Sequence, residues 1–352
     1  MAPSLQQRLE AAWATRGLLA WLLWPLSLVF RFALLLRRGL AAAGFARAEH
    51  LPVPMVVVGN LVAGGAGKTP AVMAVVELLR RQGWTPGIVS RGYGASVGAT
   101  RAVTRATPAH LCGDEPLLLH LRTGAPVQVG RDRPAAARAL LQRQPEVNLV
   151  VSDDGLQHWR LPREAQLIVF DERGAGNEWL LPAGPLREPM PRRVPARSVV
   201  VYNAPSASTA WPGGLVRRGL AGAVALQGWW NGEAPSLATL GGLAGRPLLA
   251  VAGVARPARF FTMLREHGLH IAEWPLPDHH AFATLPWPPG TPDVILTEKD
   301  AVKLPPSTPL AATRVWVARL DFRLDPATEA ALCRLLPSPP GPNRSDHGPS
   351  TA

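Results

Sequence analysis

The stretch GNLVAGGAGKTP, Gly59 to Pro70, carries the clearest chemical potential in the chain. Gly64, Gly65 and Gly67 free the backbone, so that successive N–H groups can curl around phosphate oxygens at the positive end of the next helix. Lys68 adds a cation for the β- and γ-phosphates, and the Thr69 hydroxyl stands where Mg²⁺ is coordinated in such loops. The usual spelling, G-x-x-x-x-G-K-[ST], requires glycine five residues before Gly67, where this chain has Val62. The loop is therefore of the variant GGxGKT type. Val62, Ala63, Gly64, Gly65, Ala66, Gly67, Lys68 and Thr69 form the expected nucleotide-binding segment. MVVVGN before it reads as a buried strand and AVMAVVELLRRQG after it as a helix, the setting such a loop needs.

Other segments carry candidate chemistry with a plainer alternative beside it. NLVVSDDGLQH (148–158) ends an apolar run in Asp153 and Asp154. Phosphate-loop proteins deliver a carboxylate to Mg²⁺ in this way, at the strand end where open α/β sheets hold ligands; the alternative is a turn with solvated acids. CGDEP (112–116) places Asp114 and Glu115 at the start of an apolar helix, where by themselves they are capping and first-turn charges. LPDHHAF (276–282) sets His279 and His280 beside an acid, a combination for metal or proton transfer. A zinc site needs more ligands than that neighbourhood supplies. Arg91 in SRGYG, Arg133, and Arg187 in GNEWLLPAGPLREP are candidate anion contacts, or solvated side chains.

These residues need elements to hold them. Buried strand-like runs (MVVVGN, PGIVS, PVQVG, NLVVSDD, AQLIVFD, SVVVYNA) alternate with helical ones, which predicts an α/β fold: a doubly wound sheet of the P-loop NTPase kind. A Pro-, Gly- and Ala-rich stretch from about 205 to 245 shows weak periodicity. A second α/β run follows from RPLLAVAGVARPARFF through DVILTEKDAVKL to RVWVARLDF. The expected domains are an N-terminal membrane-anchoring helix (1–50), the P-loop core (51–205), a second, smaller α/β lobe (206–336) and a disordered tail (337–352).

At 352 residues and 47% hydrophobic, the chain is long enough for two such lobes. The net charge of +12 comes almost wholly from arginine, with lysine only at 68, 299 and 303. That charge suits nucleic acid or anionic lipid equally. No basic helix or aromatic–basic stacking pattern appears, which excludes a nucleic-acid binder. Cys112 and Cys333 have no paired spacing, so no disulfide framework is implied. Residues 17–30, GLLAWLLWPLSLVF, are uncharged. A signal peptide, a buried helix and a membrane anchor compete for this run. A secreted chain would strand its nucleotide loop without ATP. Flanking arginines and Trp13, Trp21 and Trp24 favour the anchor, lying in the interface or tilted across it.

VGNLVAGGAGKTP, SRGYG, GDEP, VSDDGLQH, LPAGPLREP, PDHHAF and LTEKDAVK, in that order, resemble the tetraacyldisaccharide 4′-kinase family of lipid A biosynthesis, over roughly residues 10 to 320. The family's usual loop has Thr-Val and Thr at Val62-Ala63 and Ala66. It more often has Phe at Ala175 and Gly at Glu178. The resemblance implies transfer of the ATP γ-phosphate to the 4′-hydroxyl of a tetraacylated glucosamine disaccharide 1-phosphate, giving lipid IVA. It implies ATP and Mg²⁺ as cofactors, a lipid partner and the cytoplasmic face of the inner membrane, with no obligate protein partner. It implies a catalytic dyad of Asp114 and His279. Thr69, Glu115 and Asp153 would hold the metal; Arg91, Arg133, Asp154 and Arg187 would face the substrate. A partition-type ATPase is the rival reading, opposed by Ala63 where its signature lysine belongs. A GTPase is a second, opposed by adjacent Lys299 and Asp300 in LTEKD, the wrong spacing for guanine recognition.

Overall fold

A computed structural model of the chain describes residues 5–43, 49–93, 100–158 and 160–340. Two helices, α1 (Leu5–Ala14) and α2 (Leu18–Ala42), lead into the first lobe. Its strands are β1 (Met55–Gly59), β2 (Pro86–Ser90), β3 (Arg101–Val103), β4 (Val127–Val129), β5 (Leu149–Asp153), β6 (Ala165–Asp171), β7 (Ser198–Asn203) and β8 (Gly214–Leu215). Between them lie α3 (Lys68–Arg81), α4 (Ala109–Cys112), α5 (Asp114–Thr123) and α6 (Arg133–Arg143). The sheet order is β3-β4-β2-β5-β1-β6-β7-β8, parallel throughout except where β3 runs against β4. Every residue of β1, β2 and β5 is buried, because helices cover both faces of a doubly wound sheet. The order reverses about β1, so the loop after β1 opens into the crevice at the carboxyl ends of the strands.

The second lobe is a five-stranded sheet, β11-β10-β12-β13-β9. It comprises β9 (Arg217–Ala225), β10 (Leu248–Ala252), β11 (Ile271–Pro275), β12 (Asp293–Thr297) and β13 (Arg314–Arg323), with β9 antiparallel to β13 and the rest parallel. Its helices are α7 (Leu226–Asn231), α8 (Leu237–Gly241), α9 (Pro257–Glu266) and α10 (Glu298–Ala301); the chain closes with α11 (Pro326–Arg334). The expected boundaries shift at both ends of this lobe. β8 still pairs with β7, so the first sheet runs on to Leu215, and α11 returns to pack on β6 and β7. Within the expected tail, residues 337–340 are described and Pro339 lies against Gly83; the remainder falls outside the described residues, as does Gly94 of SRGYG.

One narrow side of α2 docks on the first lobe. Ala20 and Ser27, seven residues apart, are its buried positions. The Ser27 hydroxyl donates to the Leu180 carbonyl (2.8 Å) and accepts from the Ala183 amide (3.0 Å). Trp13 Nε1 donates to the Pro182 carbonyl at 2.9 Å, and Arg38 pairs with Glu188 at 3.0 Å. Leu18, Leu22, Val29, Phe32 and Leu36 form an exposed apolar stripe at helical spacing. Leu18–Ala41 is long and apolar enough to cross a membrane, with mean hydropathy 2.0 and only 11% of its most apolar window buried.

Candidate active site

Gly67, the residue preceding α3, has φ 91°, and a Cβ there would run into the Asn203 side-chain amide. Only glycine fits both the left-handed backbone and the close approach. Asn203 donates to the Ala66 carbonyl at 3.2 Å and seals the loop from β7. Val62, where the common spelling has glycine, is buried and forms an antiparallel bridge with Leu186. Ala63 N donates to the Pro185 carbonyl and Arg187 N to the Leu61 carbonyl, both at 2.8 Å. The structure thus brings GNLVAGGAGKTP and LPAGPLREP side by side. Lys68 Nζ donates to Asn60 Oδ1 at 3.2 Å and lies 3.7 Å from Asp154. Thr69 is half-buried one residue on, in the first turn of α3.

The end of β5 lies beside that turn. Asp153 is 3% exposed; its Oδ2 accepts from Ser90 Oγ at 2.8 Å, while Oδ1 is buried without a hydrogen-bond partner. Burial first, then the neighbouring Glu115 and Asp154 charges, push its carboxyl up to about 6. Asp154 turns out of the strand at φ 51°, and both its oxygens accept from Nη1 of Arg187 at 2.9 Å. Burial raises its pKa, but Lys68 and Arg187 outweigh that and hold it below the usual carboxylate range. Arg91 is exposed. Arg133, expected as an anion contact, is 1% exposed. Its guanidinium donates to the carbonyls of Gly130 (2.8 Å) and Asp153 (3.1 Å), so it braces the strand end.

Asp114 and His279 are 165 residues apart in sequence and meet across the lobes. Gly113, φ 95°, turns the chain so that Asp114 is the first residue of α5, with Glu115 N donating to Asp114 Oδ1 at 2.9 Å. His279 sits on the loop after β11 at φ 59°, an uncommon backbone state for a bulky side chain that marks a constrained site. Its Nδ1 is 3.0 Å from Asp114 Oδ2. The hydrogen bond to Asp114 raises the imidazole pKa above its usual value, against burial and the Lys299 charge, which lower it. Burial raises the Asp114 carboxyl, but His279, Lys299 and Lys303 outweigh it and keep it low. His280 turns away and accepts from the Phe282 amide. Between the lobes lies a cleft of about 690 Å³ lined by the glycine loop, Glu115, Arg218 and Lys299.

A family profile described as tetraacyldisaccharide-1-P 4′-kinase (LpxK) matches residues 19–337. The chain belongs to that family. It is 54% identical over 344 residues to the tetraacyldisaccharide 4′-kinase of Methylibium petroleiphilum, covering 97% of this chain and 96% of the relative. It is 53% identical over 340 residues to that of Leptothrix cholodnii, covering 96% and 98%. The fold matches LpxK from Aquifex aeolicus, a crystal structure described as an "apo" form in complex with ATP. The TM-score is 0.72 at 25% identity, over 90% of this chain and 99% of that one.

Two groupings compete for the Mg²⁺ that a kinase of this family employs. Oxygen or nitrogen atoms of Asp114, Glu115 and His279 lie within 4.8 Å of one another. The Lys299 ammonium already stands there, 2.9 Å from Glu115, and an imidazole is a poor partner for so hard a cation. The unpartnered Oδ1 of Asp153, close to the first turn that carries Thr69, fits better: an all-oxygen set with an orphaned buried atom. Asp153→Asn should therefore stabilise the metal-free fold while impairing function. Unfolded, the carboxyl ionises near its ordinary 3.8; folded, it ionises at about 6, so stability is lost as pH rises through that window. Melting curves in metal-free buffer should show a gain at pH 8 that shrinks at pH 5, each kcal/mol shifting Tm by roughly 2–4 °C. An unchanged or lower Tm at pH 8 would show that the carboxylate is not held at a cost.

Sequence reasoning passed over Asn60, Asn203, Lys299 and the arginines Arg256 and Arg259, which pair with Glu172 across the lobes. For Lys299 a signal existed. All three lysines of this arginine-rich chain converge on the site: Lys68 in the loop, Lys299 beside Glu115, and Lys303 3.7 Å from Asp114.

Proposed function

We propose that this chain transfers the γ-phosphoryl group of ATP to the 4′-hydroxyl of tetraacyldisaccharide 1-phosphate, forming lipid IVA in lipid A biosynthesis. The observation that carries the reading is the Asp114–His279 pair across the lobes, next to Glu115 and Lys299, which line the cleft holding Lys68 and Thr69. In the reaction the sugar oxygen attacks Pγ, the bond from Pγ to the bridging oxygen breaks, ADP departs and the hydroxyl proton leaves. Asp114 engages Nδ1 of His279, so Nε2 is the nitrogen that takes that proton. Asp114 then stabilises the imidazolium. Lys68 and the loop amides bind the triphosphate and neutralise charge that builds on its oxygens. Thr69 and Asp153, with Glu115 once it leaves Lys299, would hold Mg²⁺, which when bound neutralises phosphate charge. Arg187 and Asp154, near Lys68, orient the acceptor end, with the exposed Arg91 as a further contact. A partition-type ATPase has no use for a base on a second lobe. The test is transfer of γ-labelled phosphate from ATP to the purified lipid in detergent micelles, with Lys68→Ala as control. Hydrolysis of ATP without labelled lipid would leave the nucleotide site standing and remove the acceptor.

The acceptor carries long acyl chains, so its kinase must meet it at a bilayer. We read α2 as lying in the interface of the inner membrane's cytoplasmic face. Ser27 in its middle and Arg38 near its end are bonded to the lobe, which supports a helix lying along the surface over one crossing it. Leu22 and Phe32, each 67% exposed, lie on its outer stripe. Each is worth about 1.5–3 kcal/mol when buried in apolar surroundings. Leu22→Glu with Phe32→Glu should lower co-sedimentation with anionic vesicles by at least about 100-fold in partition coefficient and leave the melting temperature unchanged. Undiminished sedimentation would place the membrane contact elsewhere.

A further inference from the structure

We infer that Lys299 is a positioning residue for phosphoryl transfer: its ammonium ties Nε2 of His279 on one lobe to the Glu115 carboxylate on the other. The inference rests on His279 acting as the base. Lys299 Nζ lies 2.9 Å from Glu115 Oε1, 3.2 Å from Asp278 Oδ1 and 3.3 Å from His279 Nε2. An ammonium has three donors and no acceptor, and here each donor has one partner. Two consequences follow for His279. Nε2 must present its lone pair, because the group facing it can only donate, and the ring proton therefore sits on Nδ1 and points to Asp114. The ring is also gripped at both nitrogens, so its plane is fixed before the acceptor arrives.

The support beneath Lys299 is short and stiff. Thr297 caps α10 by accepting from the Asp300 amide at 3.2 Å. Asp300, fully buried, accepts from the Gly253 amide at 3.0 Å, and the Gly253 carbonyl in turn accepts from the His279 amide at 3.3 Å. Lysine and histidine thus stand on one buried scaffold within the second lobe, while Glu115 belongs to the first. When the acceptor hydroxyl takes the Nε2 lone pair and Glu115 turns to the metal-bound nucleotide, the ammonium gives up the imidazole and keeps Asp278 beside it, so the ring meets the acceptor already aligned. A guanidinium cannot reproduce this: its donors lie in a flat fork, whereas these three acceptors surround a point. That accounts for lysine here in a chain that otherwise uses arginine.

The test uses the full chain in micelles with ATP, Mg²⁺ and tetraacyldisaccharide 1-phosphate. Lys299→Met should lower kcat by about 10- to 100-fold, as for a misaligned base, while both KM values stay within about 3-fold. Lys299→Arg should not restore it. Lys299→Gln, which keeps a hydrogen-bond donor and guards against a folding defect in the methionine variant, should retain more kcat than Lys299→Met. In a His279→Ala background, Lys299→Met should cost less than about 3-fold, because its route to the reaction is already gone. Equal losses in the two backgrounds, or an effect confined to KM for ATP, would overturn the inference and make Lys299 a structural or nucleotide contact. Wild-type kcat in His279→Ala itself would instead remove the base and, with it, the reading on which this role depends.

Discussion

Lys68→Ala should leave the chain folded and lower phosphate transfer by about 10³-fold or more, the scale set by removing one preorganised charge from a phosphoryl-transfer site. The reason is local. Lys68 is the cation at the first position of α3, within reach of Asn60 and Asp154 and flanked by the loop amides. Removing it takes a positive charge from where the departing phosphate oxygens gain negative charge. Asp154 keeps its partner Arg187, so the fold loses little. Labelled-lipid yield and a melting curve read the two effects separately. Normal turnover would remove the loop from the mechanism.

Asp114→Asn should retain ATP affinity, lower the plateau rate by about 10²- to 10⁴-fold, and move the acid limb of the pH–rate profile to lower pH. The direction follows from the linkage. The base must be unprotonated, so the rate falls as pH drops through the His279 pKa, which Asp114 holds above its usual value. An amide removes the carboxylate, the imidazole pKa falls, and neutral base persists to lower pH. Asp153, raised to about 6 in the metal-free chain, is a second site group to be separated from His279. If the limb stays in place in Asp114→Asn and moves in Asp153→Asn, the profile reports the strand-end carboxylate. Parallel loss of ATP affinity and rate would reassign Asp114 to nucleotide or metal binding.

The glycine loop was legible because its chemistry is local: strand, loop, lysine and helix are contiguous, and periodicity alone places them. The meeting of Asp114 with His279 was legible only through resemblance, since no spacing rule links residues in different lobes. Arg133 shows a different limit. Burial depends on how α6 packs against β2 and β4, and nothing in RDRPAAAR tells a guanidinium free for an anion from one spent on the carbonyls of Gly130 and Asp153. β9, RRGLAGAVA, escaped notice because its small residues show no alternation; its strand character comes from pairing along β13. Domain ends at 206 and 336 were drawn from composition, which cannot show that β8 stays with the first sheet or that α11 returns to it. The three lysines were a compositional signal of the site, one that a reading of net charge alone passes over.

The attachment of α2 reaches further than anchoring. Ser27 holds the strip around Leu180, the same segment pairs Leu186 with Val62, and Arg187 grips Asp154 next to Lys68. From the outer stripe of the helix to the phosphate loop there is thus an unbroken series of bonded neighbours with no linker in it. On the proposed interfacial placement of α2, the enzyme searches in two dimensions. The acceptor supply it experiences is counted per unit area of bilayer, and crowding the sheet with inert lipid slows it even when the total amount of acceptor in the vessel is unchanged.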